Sequence, residues 1–482
     1  MKKGLSKNGK RVLTASIGLG LALVMGSQMT EAAQTRAQED LSNNEQQVRE
    51  QAARNIKADN VKDVAVSVKD IVLTGNDKMS RQALLALVPE LKKSTVHIYE
   101  LAKQLQQVND NGAVTLSTDF KPVGDNSYVV TLKVAEHDPE HVDVNISNTG
   151  NDFTGEWRLT TSYINANVSH QNDTIGVAYV TSPGHWDDVK QAAVSYRLPV
   201  PKDDGSINFN LSYSDVNMGS VYNSPGLLDL TASGKSATAG VHYQHNIAYT
   251  SHEKDIVDFG VDYKRYSNNY CWTILGSAAP NNYDFHVTTA ALDFMHNDRS
   301  AKHAFTYDAG YVTNFDGSET DYEKATSGSN KHFGYWKAGA SYLYRLPSDW
   351  RINVKAHGQY TKDNLVSTEQ IGAGGIYSVR GFDERVLSAD TGCVGSFELY
   401  TPEFAPSSRF VLFTDWGDLT NNNKNSSFHH ERVASAGAGY RFQQDNFSVL
   451  LDYAYVIDDA DSLALSHHQD HQRWNLMMNA KL

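Results

Sequence analysis

A run of glycines encloses a single arginine at Gly372-Ala373-Gly374-Gly375-Ile376-Tyr377-Ser378-Val379-Arg380-Gly381-Phe382. About thirty residues on stands a second short pattern, Phe413-Thr414-Asp415-Trp416-Gly417. A guanidinium is planar and permanently charged, so it can clamp a carboxylate through two parallel bonds. Glycines on either side let a chain turn tightly and come close to another backbone. Taken alone, the loop reads equally well as a mobile surface loop around one solvated arginine.

Other chemistry is sparse. No set of side chains has the spacing of a catalytic site, so the chain reads as a non-enzyme without cofactor. Gly234-Lys235-Ser236 has the form of a phosphate loop, but Asp229 stands where its first glycine is required. His429, His430, His467, His468 and His471 fall in long polar connections and read as solvated residues, with no metal expected. Cysteine occurs twice, at Cys271 and Cys393, which excludes a disulfide-built scaffold. Both map near one end of the strands described next, and spacing leaves a bond between them open. A net charge of −13 argues against a nucleic-acid partner.

These residues must be held by something, and alternation shows what. Ile207, Phe209, Leu211 and Tyr213 alternate with Asn208, Asn210 and Ser212. Val257, Phe259, Val261 and Tyr263 do the same, as do Ile352, Val354, Ala356, Gly358 and Tyr360. Successive strand side chains point to opposite faces, so each segment has one apolar and one polar side. The last nine residues follow suit. Trp474, Leu476, Met478, Ala480 and Leu482 share a face against Asn475, Met477, Asn479 and Lys481. A closing strand of this kind suits a barrel, whose final strand pairs with its first.

Alternation does not separate a soluble sandwich from a membrane barrel, but the connections do. From residue 142 onward there are about sixteen such segments, with linkers alternately short and long. The short ones are 201–205, 251–254, 297–302, 347–349, 402–408 and 443–446. The long ones are 215–235, 266–282, 316–331, 361–392, 417–431 and 457–472. Outer-membrane barrels have short periplasmic turns, long outer loops and usually an even strand number. A mean hydropathy of −0.48 is compatible, because only alternate residues face lipid. The expected fold is mainly β: a transmembrane antiparallel barrel over 139–482, bathed in outer-membrane lipid.

Two pieces precede it. Residues 12–25 form an apolar run behind Lys2, Lys3, Lys7, Lys10 and Arg11, too short to span a membrane. This reads as a secretory leader over 1–32, cleaved after Ala32. Residues 33–64 are polar and weakly helical, a linker or a helix occupying the pore. Residues 65–138 read strand, helix, helix, strand, strand, with Pro89 closing the first helix and Leu101, Leu105 and Val108 at helical spacing.

That order resembles a POTRA domain, the periplasmic module of barrel-type protein transporters. The glycine-rich loop and the Phe-x-Asp-x-Gly pattern together resemble the two-partner secretion transporters, also called haemolysin secretion/activation proteins. These lie within the outer-membrane protein assembly superfamily. Asn148-Thr149-Gly150, the run Phe153 to Arg158, the run Leu387 to Gly392, and Glu398-Leu399 extend the likeness.

The resemblance implies that Val379, Arg380, Gly381 and Phe382 form the tip of a lid loop folded into the lumen. Its wall partner would lie in Phe413, Asp415 and Gly417, with Asp415 taking the arginine. It further implies a single-chain barrel exporting an unfolded client, which the POTRA domain binds by strand addition. The family usually carries two POTRA domains, and this chain has room for one. An assembly factor that inserts other barrels is the first alternative, although such proteins typically carry three or more. A diffusion porin is the second, and has no need of Arg380, Asp415 or a POTRA module.

Overall fold

The computed structural model describes residues 64–124, 126–224, 228–274, 277–444, 446–460 and 471–482. The leader and the polar stretch to residue 63 lie outside them, as do His467 and His468.

The chain opens with a small α+β domain of POTRA-like order. Strand β1 (Ala65–Thr74) leads through helix α1 (Arg81–Leu87) to a three-residue strand β2 (Thr95–His97). Helix α2 (Ile98–Asn109) and strands β3 (Val114–Gly124) and β4 (Ser127–Glu136) follow. The sheet order is β2-β1-β4-β3, with β1 and β4 parallel, so β3 is a free edge. Ser80 starts α1 by accepting a bond from the Ala83 amide at 3.1 Å, and Pro89 ends its α-helical run in a 3-10 turn. Leu84, Leu91, Leu101, Val114 and Leu132 fill the core. The short strand β2 is the one element the sequence pattern did not show.

The barrel begins with β5 (Glu140–Ser147), β6 (Arg158–Asn165), β7 (Thr174–Thr181) and β8 (Val189–Val200). Four long strands come next: β9 (Gly205–Ser224), β10 (Leu228–Tyr249), β11 (Glu253–Ile274) and β12 (Ser277–Arg299). Then come β13 (His303–Asp316), helix α3 (Glu319–Ala325), β14 (Gly334–Arg345) and β15 (Arg351–Tyr360). Inside the following loop are two short strands, β16 (Ile371–Ala373) and β17 (Leu387–Ala389). The wall resumes with β18 (Thr391–Tyr400), β19 (Ser408–Thr420), β20 (His430–Gln444), β21 (Phe447–Asp458) and β22 (Gln472–Lys481). Sixteen of these strands, among the described residues, close into one antiparallel barrel, with β22 paired to β5.

Closure turns the apolar side of the alternation outward. Phe259, Leu211, Leu412 and Trp474 are more than half exposed, while the intervening Asp258, Ser214, Phe413 and Asn475 are buried. An apolar outer face of this kind belongs in lipid. No described helix is long and apolar enough to cross a membrane, which bears only on helical spans.

Two connections differ from expectation. Segments 215–235 and 266–282 are not open loops but continuations of β9 to β12, which reach 20 to 23 residues. Their inward aromatics supply the reason. Tyr266, Tyr270, Tyr283 and Phe285 stack and bury with Tyr322 of α3, giving the extension a core of its own beyond the membrane span. The small domain meets the rim that carries the 201–205 and 251–254 turns. There α2 and the two residues after it make three contacts with the barrel. Lys103 pairs with Asp204 at 2.9 Å, Asp110 with Lys254 at 2.6 Å, and Thr174 Oγ1 donates to Asn111 at 2.8 Å.

Candidate functional site

The 361–390 connection folds inward rather than out. Ile371, Ala373, Val379, Phe382, Leu387 and Ala389 bury against Val394, Leu419, Val433 and Val456 of the wall. Those wall residues face inward because they share parity with the polar lumen positions on their strands. Gly417 permits the approach, since a Cβ there would sit 3.0 Å from the Ala373 methyl. A larger residue would push β16 off the wall.

At the tip, Arg380 is 4% exposed and fully engaged. Its Nε and Nη2 each donate to Asp415 at 2.7 Å, and its backbone amide adds a third bond at 3.1 Å. Its Nη1 donates to Glu398 at 2.9 Å and to Asp452 at 3.1 Å, and Nη2 to Ser396 at 3.2 Å. The guanidinium also lies over the Phe413 ring, 3.5 Å from its centre. Such a stack favours a weakly hydrated, planar cation.

Three carboxylates around one guanidinium would repel one another without further cations. Arg441 of β20 supplies the second, donating to both oxygens of Asp452 at 2.5 and 3.0 Å. Glu398 is held in turn by Tyr400 at 2.7 Å and Asn353 at 3.0 Å. Every nitrogen of the Arg380 guanidinium is thus bonded, which fixes the tip against the wall.

The residues picked from the sequence therefore converge. Val379, Arg380 and Phe382 are buried in the lumen, Gly381 turns the tip with φ +98°, and Phe413, Asp415 and Gly417 all face it from β19. Glu398, Asp452 and Arg441 were not singled out as partners. Parity alone could have suggested them, because each lies on the inward face of its strand.

Trp474 and its alternate neighbours do form the closing strand. Its pairing with β5 is short, from Met477–Ser147 to Lys481–Asp143, and the Asn148 side chain extends it by bonding Trp474 O at 2.7 Å and Leu476 N at 2.8 Å. The disulfide left open by the sequence is not formed, and Cys271 and Cys393 are free. They stand on β11 and β18, five strand positions apart in the wall. At about 4.8 Å per strand that is far beyond the reach of an S–S bond.

A closed lipid-facing barrel, a POTRA-like domain at one rim and an arginine-locked lid in the lumen mark a β-barrel of the outer-membrane class. The comparisons narrow this. Residues 126–442 match the model of "Haemolysin secretion/activation protein ShlB/FhaC/HecB". The chain belongs to that family, whose members are outer-membrane transporters of two-partner secretion.

Among curated proteins it is 23% identical over 440 residues to the heme/hemopexin transporter protein HuxB of Haemophilus influenzae, covering 86% of this chain and 74% of that one. It is 24% identical over 371 residues to the outer membrane transporter CdiB of Dickeya dadantii, covering 74% of this chain and 63% of that one. Among solved structures, CdiB from Escherichia coli superposes with TM-score 0.73 at 18% identity, over 86% of this chain and 76% of the other. BamA from Haemophilus ducreyi lacking POTRA domains 1–3 gives 0.52 at 14% identity, over 86% and 85%. At these identities the structural matches carry the fold only.

Proposed function

We propose that this chain exports one unfolded partner protein through its own barrel, and that the lid moves to let it pass. The observation that carries this reading is the charged lock at Arg380, buried inside a lumen that a diffusion pore would leave open. The small domain supports it from the other side. Edge strand β3 pairs with β4 on one side only and lies beside α2, so an extended client can add there through main-chain bonds. Recognition of that kind places little demand on sequence and suits a client not yet folded. The barrel closes within a single chain, which fits a monomeric translocator needing no cofactor.

The leader and the pore helix or linker over 33–64 complete the proposed layout, 65–138 being the periplasmic domain and 139–482 the barrel. Deleting residues 65–138 in cells that co-express a candidate secreted partner tests the scheme. The partner should remain in the periplasm while the barrel still inserts and other outer-membrane proteins assemble normally. A general loss of outer-membrane proteins would instead mark an assembly factor.

A further inference from the structure

Arg380 holds only one end of the lid. The other end reaches a different arc of the wall. Glu369, 4% exposed, accepts from Lys264 Nζ of β11 at 2.9 and 3.2 Å and from the Tyr335 hydroxyl of β14 at 3.1 Å. Its backbone carbonyl accepts from Gln359 of β15 at 3.0 Å. In the barrel order β11 stands six strand positions from β19, so the lid crosses the lumen between this anchor and the tip, where Asp383 also pairs with Arg473 of β22.

We infer that Lys264 and Glu369 are positioning residues of the gate: they fix the lid's arm, so that the lumen clears only when this anchor yields as well as the one at Arg380. The inference rests on the reading of the lid as a movable gate. Three observations support it. First, the pair is isolated from the Arg380 cluster, since among the described residues no side chain bonds to both. Second, Gly374 and Gly375 lie between the anchors with φ +111° and +100°. They provide a pivot about which the tip can turn while the arm stays put. Third, Leu365 and Val366, beside Glu369, are buried with Tyr266, Tyr335 and Tyr322, so the arm has its own apolar seat. Freeing Arg380 alone leaves that seat occupied.

A buried carboxylate deprived of its cation is strongly disfavoured, so removing Lys264 should loosen the arm without touching Arg380. Lys264→Met and Glu369→Gln, each in the full chain, are reconstituted into planar lipid bilayers beside wild type and Arg380→Ala. Heat-modifiable migration on gels confirms that each barrel is folded. Each anchor variant should raise the open fraction about tenfold, the scale of one charge-assisted bond. Combining either with Arg380→Ala should open the pore further than Arg380→Ala does. The exchange Lys264→Glu with Glu369→Lys should return the open fraction toward wild type, which a purely structural defect would not do.

If Arg380→Ala opens the pore but the anchor variants match wild type, the second anchor is refuted and the gating role of the lid stands. If neither kind of variant changes conductance, both readings fall. Should Lys264→Met fail to fold, Tyr335→Phe removes one bond to Glu369 with little change in packing. An unchanged open fraction there, together with an unchanged Glu369→Gln, overturns the inference.

Discussion

Arg380 and Asp415 meet through two near-parallel bonds of 2.7 Å at a point where Asp415 has no exposed surface. The contacts are asymmetric. Arg380 has two further carboxylate partners, whereas the three bonds given to the Asp415 carboxylate all come from Arg380. Losing the arginine strands a buried charge, while losing the aspartate leaves the arginine still held by Glu398 and Asp452.

Arg380→Ala should therefore release the lid more fully than Asp415→Ala. The cost of a stranded buried partner is about 3–5 kcal/mol. Secretion of the partner into the medium should be lost in Arg380→Ala and reduced in Asp415→Ala, with both barrels inserted. The double variant should resemble Arg380→Ala. Arg380→Lys should not restore function, because an ammonium cannot make the paired fork or stack on Phe413. Additive defects, measured by immunoblot of medium and outer membrane, would show that the two act separately.

Gly417 offers a test that leaves every charge in place. With Ala373 3.0 Å from a would-be Cβ, and Val394 and Val433 at 3.2 Å, Gly417→Leu overfills the space between lid and wall. Overpacking typically costs about 1–3 kcal/mol. The lid is the part free to give, so its loop should become cleavable by externally added protease. The barrel should keep its heat-modifiable shift. Unaltered protease resistance would mean that β16 does not depend on this contact.

How much of this was legible beforehand follows the range of the interactions. The barrel was legible because alternation and linker parity are local, and 207–213 or 352–360 carry the signal unaided. The Arg380–Asp415 contact was legible through the family likeness of two short motifs. Glu398, Asp452 and Arg441 were not, since each is an ordinary inward polar residue until strand register sets it beside its partners. Glu398 faces Phe413 across β18 and β19, and Asp452 faces Gly439 across β20 and β21. The long strands β9 to β12 were misread as loops because their outer halves are rich in Asn, Ser and Gly. Only the assembled sheet shows that Tyr266, Tyr270 and Phe285 meet on one face.

Cys271 and Cys393 should both react with a thiol reagent in denatured, oxidised protein, and reductant should not change the count of two. Cys393 is exposed on the outer face of β18, and Cys271 is partly buried. A membrane-soluble maleimide should accordingly label Cys393 faster in the folded barrel. A count that rises on reduction would require the wall to be rearranged.

Glu136, at the end of β4, gathers the amides of Asp77, Lys78 and Met79 at 2.9 to 3.1 Å, tying the loop before α1 to the strand that leads into the barrel. Burial alone would raise its pKa. The three amides outweigh it, and the carboxyl ionises below its ordinary value of 4.5. A depressed carboxyl stabilises the fold wherever pH exceeds the ordinary value, and that contribution fades as pH falls through the lower, folded one. Amides of β1 and β4 should therefore lose exchange protection as pH drops from about 5 toward about 3, after correction for intrinsic exchange rates. Glu136→Gln keeps an acceptor oxygen but no charge. In micelle-solubilised full chain it should start less protected at neutral pH and respond more weakly to acid over that interval. If both proteins lose protection with the same slope, Glu136 is not the group that senses the acid, and the tie to the 77–79 loop contributes nothing measurable to the domain.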